Sequence, residues 1–160
     1  MPSNEALEVA APITGRVVPL SSVPDPVFAG QLVGAGAAIE PAPGVFEVLS
    51  PAEGKIIKLL PHAFVIVDTA GRGVLVHVGI DTVKLAGEGF TILAKKDDWV
   101  HAGSPIMRVD PAPALAAGYS LVSPVVVLDS KPDTVSTTAT GEVRGGARLF
   151  AWSPEHEAAR

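Results

Sequence analysis

A chain of 160 residues with a formal net charge of −5, 48% hydrophobic side chains and no cysteine is the size of one domain built on a single core. Its twelve basic residues are scattered, so the cationic footprint that grips a phosphate backbone is missing and nucleic acid is not an expected partner. Without thiols there can be no disulfide, thiolate metal site or cysteine nucleophile, a composition that suits the reducing cytoplasm.

Residues 1–8, opening Met1-Pro-Ser-Asn-Glu-Ala6, read as a short polar arm with no basic start, apolar run or amphipathic moment. No later segment approaches the roughly 20 apolar residues of a membrane span. We therefore expect no membrane anchor, and one domain over residues 9–152. Sixteen glycines and fifteen prolines cut the aliphatic runs into pieces too short for long helices, which favours strands. In chain order, strands are expected at Gly15 to Leu20, Gly54 to Leu59, Phe64 to Asp68, Gly73 to Gly79, Pro105 to Val109 and Val125 to Leu128. Helical turns are confined to Pro26 to Ala29 and Ala112 to Gly118. Thr134 to Thr140 reads as a loop before a last strand, and residues 153–160 as a polar tail that frays.

Ala11-Pro-Ile-Thr-Gly15-Arg-Val-Val-Pro-Leu20 echoes Ser50-Pro-Ala-Glu-Gly54-Lys-Ile-Ile-Lys-Leu59 at an offset of 39 residues. A glycine-strand unit used twice points to an all-β antiparallel sandwich or barrel made of two related halves.

Four histidines carry the candidate chemistry. His156 lies in the charged tail, and His101 follows two acidic residues at an exposed glycine turn. His77 differs, because it interrupts the apolar strand Gly73-Val-Leu-Val-His-Val-Gly79. A buried imidazole needs hydrogen-bond partners or a concave surface to face; by periodicity alone a satisfied core histidine is the simpler reading. Gly79, two residues along, would share its face and clear space beside the ring. His62 opens the preceding strand, and a turn centred near Thr69 and Ala70 would set residues whose numbers add to 139, such as 62 and 77, opposite each other. A slip of one residue would part the rings. Adjacent imidazoles suit metal binding, acid–base catalysis or phosphoryl transfer, and spacing does not choose among them.

From about Val9 to Trp152 the chain resembles the glucose-type enzyme IIA domain of bacterial sugar phosphotransferase systems. The residues that carry the resemblance are Val23-Pro-Asp-Pro-Val-Phe-Ala29, His62-Ala-Phe64, Val76-His77, Gly79-Ile-Asp-Thr-Val83 and Gly87-Glu-Gly-Phe90. The resemblance implies that His77 accepts a phosphoryl group on Nε2 from a histidine-containing phosphocarrier protein. The group then passes to a cysteine of the enzyme IIB partner of a glucose or N-acetylglucosamine permease (IIB/IIC). His62 would steady the phosphoryl oxygens. Asp25 and Asp81 would stand at the rim and meet an arginine of the carrier, and Val27, Phe28, Leu32 and Val33 would form an apolar docking surface. No cofactor or metal is implied. The family often has a threonine two residues before the first histidine; here that turn is shortened and reads Leu60-Pro61, so a hydroxyl that could orient His62 is absent.

The alternatives are a zinc metallopeptidase of related fold, which needs three protein ligands and usually a His-x-His pair that Val76-His77-Val78 lacks, and a lipoyl- or biotinyl-type carrier, for which Lys95-Lys96 is poorly placed. A non-catalytic regulatory role toward other proteins is compatible with the main reading.

Overall fold

Among residues 6–154, which the computed structural model describes, fourteen short strands alternate with glycine and proline turns. They are β1 (Leu7–Ala10), β2 (Gly15–Val18), β3 (Gly34–Pro41), β4 (Phe46–Leu49), β5 (Gly54–Leu60), β6 (Ala63–Val67), β7 (Gly73–His77), β8 (Phe90–Ile92), β9 (Trp99–Val100), β10 (Pro105–Val109), β11 (Ser123–Leu128), β12 (Val135–Ser136), β13 (Glu142–Val143) and β14 (Arg148–Trp152). Among the described residues, helices are limited to α1 (Pro26–Ala29), α2 (Ala112–Ala117) and two 3-10 turns, at Leu20–Ser22 and Thr82–Leu85. The antiparallel all-β architecture expected from the glycine and proline spacing is present.

An eight-stranded antiparallel sheet in the order β13-β2-β3-β11-β7-β6-β5-β9 curls over two three-stranded sheets, β1-β14-β12 and β4-β10-β8. The order is symmetric about the β11–β7 pair, and the symmetry extends to single hydrogen bonds. Ala11 bonds through its N–H to Ala147 and through its C=O to Gly146; Ser50 bonds in the same way to Ser104 and Gly103. The Pro12 and Pro51 carbonyls accept from Leu49 and Ala10, so the two echoed segments hold each other across the axis. Gly15 and Gly54 occupy equivalent places because a Cβ at either would lie 2.0 or 2.4 Å from a carbonyl oxygen of the neighbouring strand. The sequence echo is thus a structural duplication.

Most expected strands are present with shifted ends, and the shifts have physical causes. β2 stops at Val18 because Pro19 has no N–H to donate. β7 stops at His77, short of Gly79, whose φ of +76° turns the chain out of the sheet. β11 begins at Ser123 and tolerates Pro124 because β7 pairs only with Val125 to Val127, leaving the proline position unpaired on that side. β3 escapes a propensity reading because Gly34-Ala-Gly-Ala-Ala38 has no β-branched residue; Gly34 and Gly36 lie so close to β11 that a Cβ would be 1.9 Å from a carbonyl oxygen. β1 begins at Leu7, inside the expected arm, and β12 lies inside the expected loop 134–140. The rest of the arm and the fraying expected of the tail fall on residues 1–5 and 155–160, outside the described residues.

The aliphatic core has two parts. A large cluster inside the barrel includes Ile13, Ile39, Ile56, Phe64, Ile66, Val74, Val76 and Phe150. A smaller one on the outer face gathers Val18, Leu20, Val23, Phe28, Ile80 and Val126, with Leu75 against it. Alternation along β7 sends Val74 and Val76 inward and Leu75 and His77 outward, toward the smaller cluster.

Candidate functional site

β6 and β7 form a hairpin whose five-residue turn is closed by one aspartate. Asp68 Oδ1 accepts the Ala70 and Arg72 N–H groups, and its Oδ2 meets the Arg72 guanidinium at 2.8 Å. This clasp centres the turn on Ala70, so Val67 faces Gly73 and Ala63, not His62, faces His77. The direct pairing of His62 with His77 is therefore corrected by one residue. The rings nevertheless meet, 5.1 Å apart between centroids and edge to face at 75°. His62 escapes strand alternation because it stands with Pro61 in the two-residue link between β5 and β6, its carbonyl accepting from Val78 N–H at 2.7 Å.

His77 is held from two sides. Phe28 packs against it with centroids 5.3 Å apart at 54°, and His77 Nδ1 lies 2.7 Å from the Gly79 carbonyl oxygen. A carbonyl only accepts, so Nδ1 carries the proton in the neutral ring and Nε2 keeps its lone pair. Gly79 thus acts through its carbonyl and left-handed backbone. Its Cα hydrogens face Thr82 and Ser120, where a Cβ would come within 2.6 Å of Thr82 Cγ2, so the expectation that it clears space beside the ring is corrected.

Burial lowers the pKa of both histidines. For His77 this outweighs two opposing influences, the Gly79 carbonyl and the charge of Asp25; for His62 the neighbouring His77 lowers it further. Both rings are neutral near pH 7, the state in which an imidazole is a nucleophile. Among the described residues no hydrogen bond reaches the His62 ring, in keeping with the missing hydroxyl at its turn.

The remaining site residues are distributed unevenly. Asp25 caps α1, accepting from Val27 N–H at 2.9 Å, and is near enough to His77 to act on its charge. Asp81 adopts a left-handed conformation with its carboxylate 4.0 Å from Lys84 Nζ, so a cation already stands beside it. Val27 and Leu32 are exposed, Leu32 at 76%, whereas Phe28 is buried and Val33 packs against the smaller cluster. Phe28 therefore supports the His77 ring, and Val27 and Leu32 present apolar surface. Two hydroxyls lie behind Gly79: Thr82 stands inside the Gly79-Ile-Asp-Thr-Val83 motif with no role of its own marked there, and Ser123, far along the chain at the start of β11, carries no local signal. His101 is exposed, its Nδ1 3.6 Å from Glu53.

Two imidazoles in edge contact, one with a fixed tautomer, can hold and pass a small electrophile. A zinc peptidase needs a third protein ligand, and among the described residues no group of three histidine, cysteine or carboxylate side chains converges. No helix among them is long and apolar enough to cross a membrane.

Comparison with known proteins agrees with this geometry. Residues 7–132 match the model of a family described as phosphoenolpyruvate-dependent sugar phosphotransferase system, EIIA 1. The chain is 41% identical over 123 residues to the glucose-specific EIIA component of Oceanobacillus iheyensis, covering 76% of this chain and 73% of that one. It is 38% identical over 144 residues to the glucoside-specific EIICBA component of Staphylococcus carnosus, covering 89% of this chain but 20% of that protein, so it spans about a fifth of that relative's length. The solved structure of glucose permease IIA from Mycoplasma capricolum has the same fold, with a TM-score of 0.84 and 33% identity over 92% of this chain and 96% of that one. Fold, histidine pair and family model converge, and the chain belongs to the EIIA family of phosphoenolpyruvate-dependent sugar phosphotransferase systems and is a phosphotransferase component of that kind.

Proposed function

We propose that His77 is the phosphoryl acceptor of this relay, taking the group from a histidine-containing phosphocarrier protein and giving it to the enzyme IIB cysteine of a glucose-type sugar permease. The observation that carries this reading is the 2.7 Å contact between Nδ1 and the Gly79 carbonyl, which leaves Nε2 as the nucleophilic nitrogen. In the first transfer the Nε2 lone pair forms the new N–P bond while the donor's N–P bond breaks and its electron pair returns to the donor ring. The positive charge that develops on His77 is met by the Gly79 carbonyl and by Asp25.

His62, edge-on to His77, is in reach of the phosphoryl oxygens and stabilises charge on them as the group is passed on to IIB. Asp25, whose charge acts on His77, and Asp81 would meet an arginine of the carrier at the rim, and the exposed Val27 and Leu32 with the partly buried Val33 offer its apolar contact. The receiving thiol lies outside these 160 residues, since none is a cysteine. Relatives in which an EIIA segment is joined to IIC and IIB segments support the permease as partner. Glucose and N-acetylglucosamine permeases both fit; the sugar is chosen by the permease, and the cytoplasm is the compartment where carrier and IIB meet.

The test is incubation with phosphoenolpyruvate, enzyme I and the phosphocarrier. Wild type takes up acid-labile label, His77→Ala takes up none, and His62→Ala is labelled but donates slowly to IIB. Undiminished labelling of His77→Ala would refute the assignment.

A further inference from the structure

The reactive nitrogen of His77 is selected by one carbonyl oxygen, so the groups that fix that carbonyl also fix the chemistry. Gly79 lies between two rigid, planar peptide units. The unit joining Gly79 to Ile80 gives its N–H to the Ser120 carbonyl at 2.9 Å and turns its C=O, on the opposite side, to His77 Nδ1. The unit joining Val78 to Gly79 gives its N–H to Ser123 Oγ at 3.2 Å, and its C=O accepts from Thr82 Oγ1 at 2.6 Å. Both planes are therefore pinned at both ends, around a residue whose φ of +76° would otherwise let them swing.

Two of these four pins are side-chain hydroxyls. Thr82 and Ser123 are 1% and 0% exposed. The Ser123 proton is committed to the Leu121 carbonyl at 2.8 Å, so a lone pair of the same oxygen faces the Gly79 N–H. The other fully buried hydroxyls serve elsewhere: Ser50 closes its own turn onto Ala52, and Thr134 holds the Trp152 indole.

We propose that Ser123 and Thr82 are positioning residues for His77, two buried hydroxyls that lock the Val78–Gly79 peptide unit from which the Gly79 carbonyl is aimed, and so keep the imidazole proton on Nδ1. The inference rests on the reading of His77 as phosphoryl acceptor and names what sustains it. Without Ser123 Oγ the Gly79 N–H is buried and unpaired; without Thr82 Oγ1 the same is true of the Val78 carbonyl. Either loss lets the Gly79 carbonyl turn away and frees the ring to exchange its proton to Nε2, which then has no lone pair for attack.

The experiment uses the intact unphosphorylated chain with nitrogen-15 histidine, as wild type, Thr82→Val, Ser123→Ala and the hydroxyl-conserving Thr82→Ser. Ring nitrogen shifts of His77 should report only the Nδ1–H tautomer in wild type and Thr82→Ser, and a mixture in the other two. A lost hydrogen bond predicts that kcat for acceptance from the phosphorylated carrier falls about tenfold in the mixed-tautomer variants, with KM for the carrier within about twofold of wild type. A wild-type tautomer with unchanged kcat in Thr82→Val would overturn the proposal, as would a raised KM with kcat intact. If Ser123→Ala does not fold, Thr82→Val decides alone, since it preserves side-chain volume. His77→Ala separates the two levels: label on it sinks the acceptor reading, whereas an unlabelled His77→Ala beside a normal Thr82→Val sinks only the positioning role.

Discussion

The two halves of the barrel use the same glycine-strand unit and then diverge within one hairpin. In the first half, β2 and β3 are joined by the long segment 19–33, which carries a 3-10 turn, α1, Asp25 and Phe28. In the second, β5 and β6 are joined by Pro61 and His62 alone. The long link brings a buried aromatic ring and a carboxylate to His77; the short one brings a second imidazole. Symmetry builds a stiff frame of closely matched backbone contacts, and the site arises where symmetry is broken.

The largest effect should come from the long link. Phe28→Ala removes a buried ring that joins the smaller cluster to His77, and by the usual cost of such a truncation it should destabilise the chain by about 4 kcal/mol in denaturant titrations. If stability is unchanged, the first-half excursion is an ornament on the barrel and the comparison fails.

Gly15→Ala and Gly54→Ala probe the shared frame. Each Cβ meets a neighbouring strand's carbonyl, so each should cost about 3 kcal/mol by overpacking, with similar shifts of the denaturation midpoint. Markedly unequal shifts would show that the duplicated positions are not energetically equivalent.

Next comes the short link. His62→Ala should leave acceptance by His77 measurable but slow donation to IIB by about a hundredfold, the lower end of the usual scale for one positioned transition-state contact. Rapid-quench transfer assays on pre-phosphorylated protein read this directly. Equal slowing of both transfers would place His62 in the acceptance step as well.

Asp25 separates capping from charge. Asp25→Ala loses the α1 cap and should cost about 1 kcal/mol, whereas Asp25→Asn keeps an acceptor for Val27 N–H and should cost less. Both remove the carboxylate that raises the His77 pKa, so both should move its titration further down, measured by histidine proton shifts. The smallest effect is on stability against pH. Both histidine pKa values are lowered by folding, so the folded chain binds fewer protons than the unfolded chain in mildly acid solution. Their contribution is fully present above about pH 6.5, the ordinary histidine value, and is lost as pH falls through the folded-state values. A His62→Gln/His77→Gln double variant should flatten this part of the profile.

Several features were legible locally. Glycine and proline spacing announced short strands, α1 was read with its observed bounds, and the 39-residue echo named the duplication before any contact was known. His77 stood out as one titratable ring on an aliphatic strand. Elsewhere local signals misled. β3 has the composition of a flexible linker and is a strand only because β11 and β2 lie on either side of it. The His62–His77 register was misjudged by one residue because the Asp68–Arg72 clasp sets the turn centre, and propensity does not record a side-chain clasp.

For His77 itself, sequence was enough to mark the residue, its family resemblance and its neighbourhood, because an imidazole among valines is a property of the chain read in order. The resemblance implied Nε2 as the acceptor, but only the tertiary structure supplies the physical reason that this nitrogen is free. That choice depends on a carbonyl two residues away, aimed from a peptide unit held by hydroxyls from the start of β11 and a 3-10 turn, in a glycine conformation that exists only when the surrounding strands have packed.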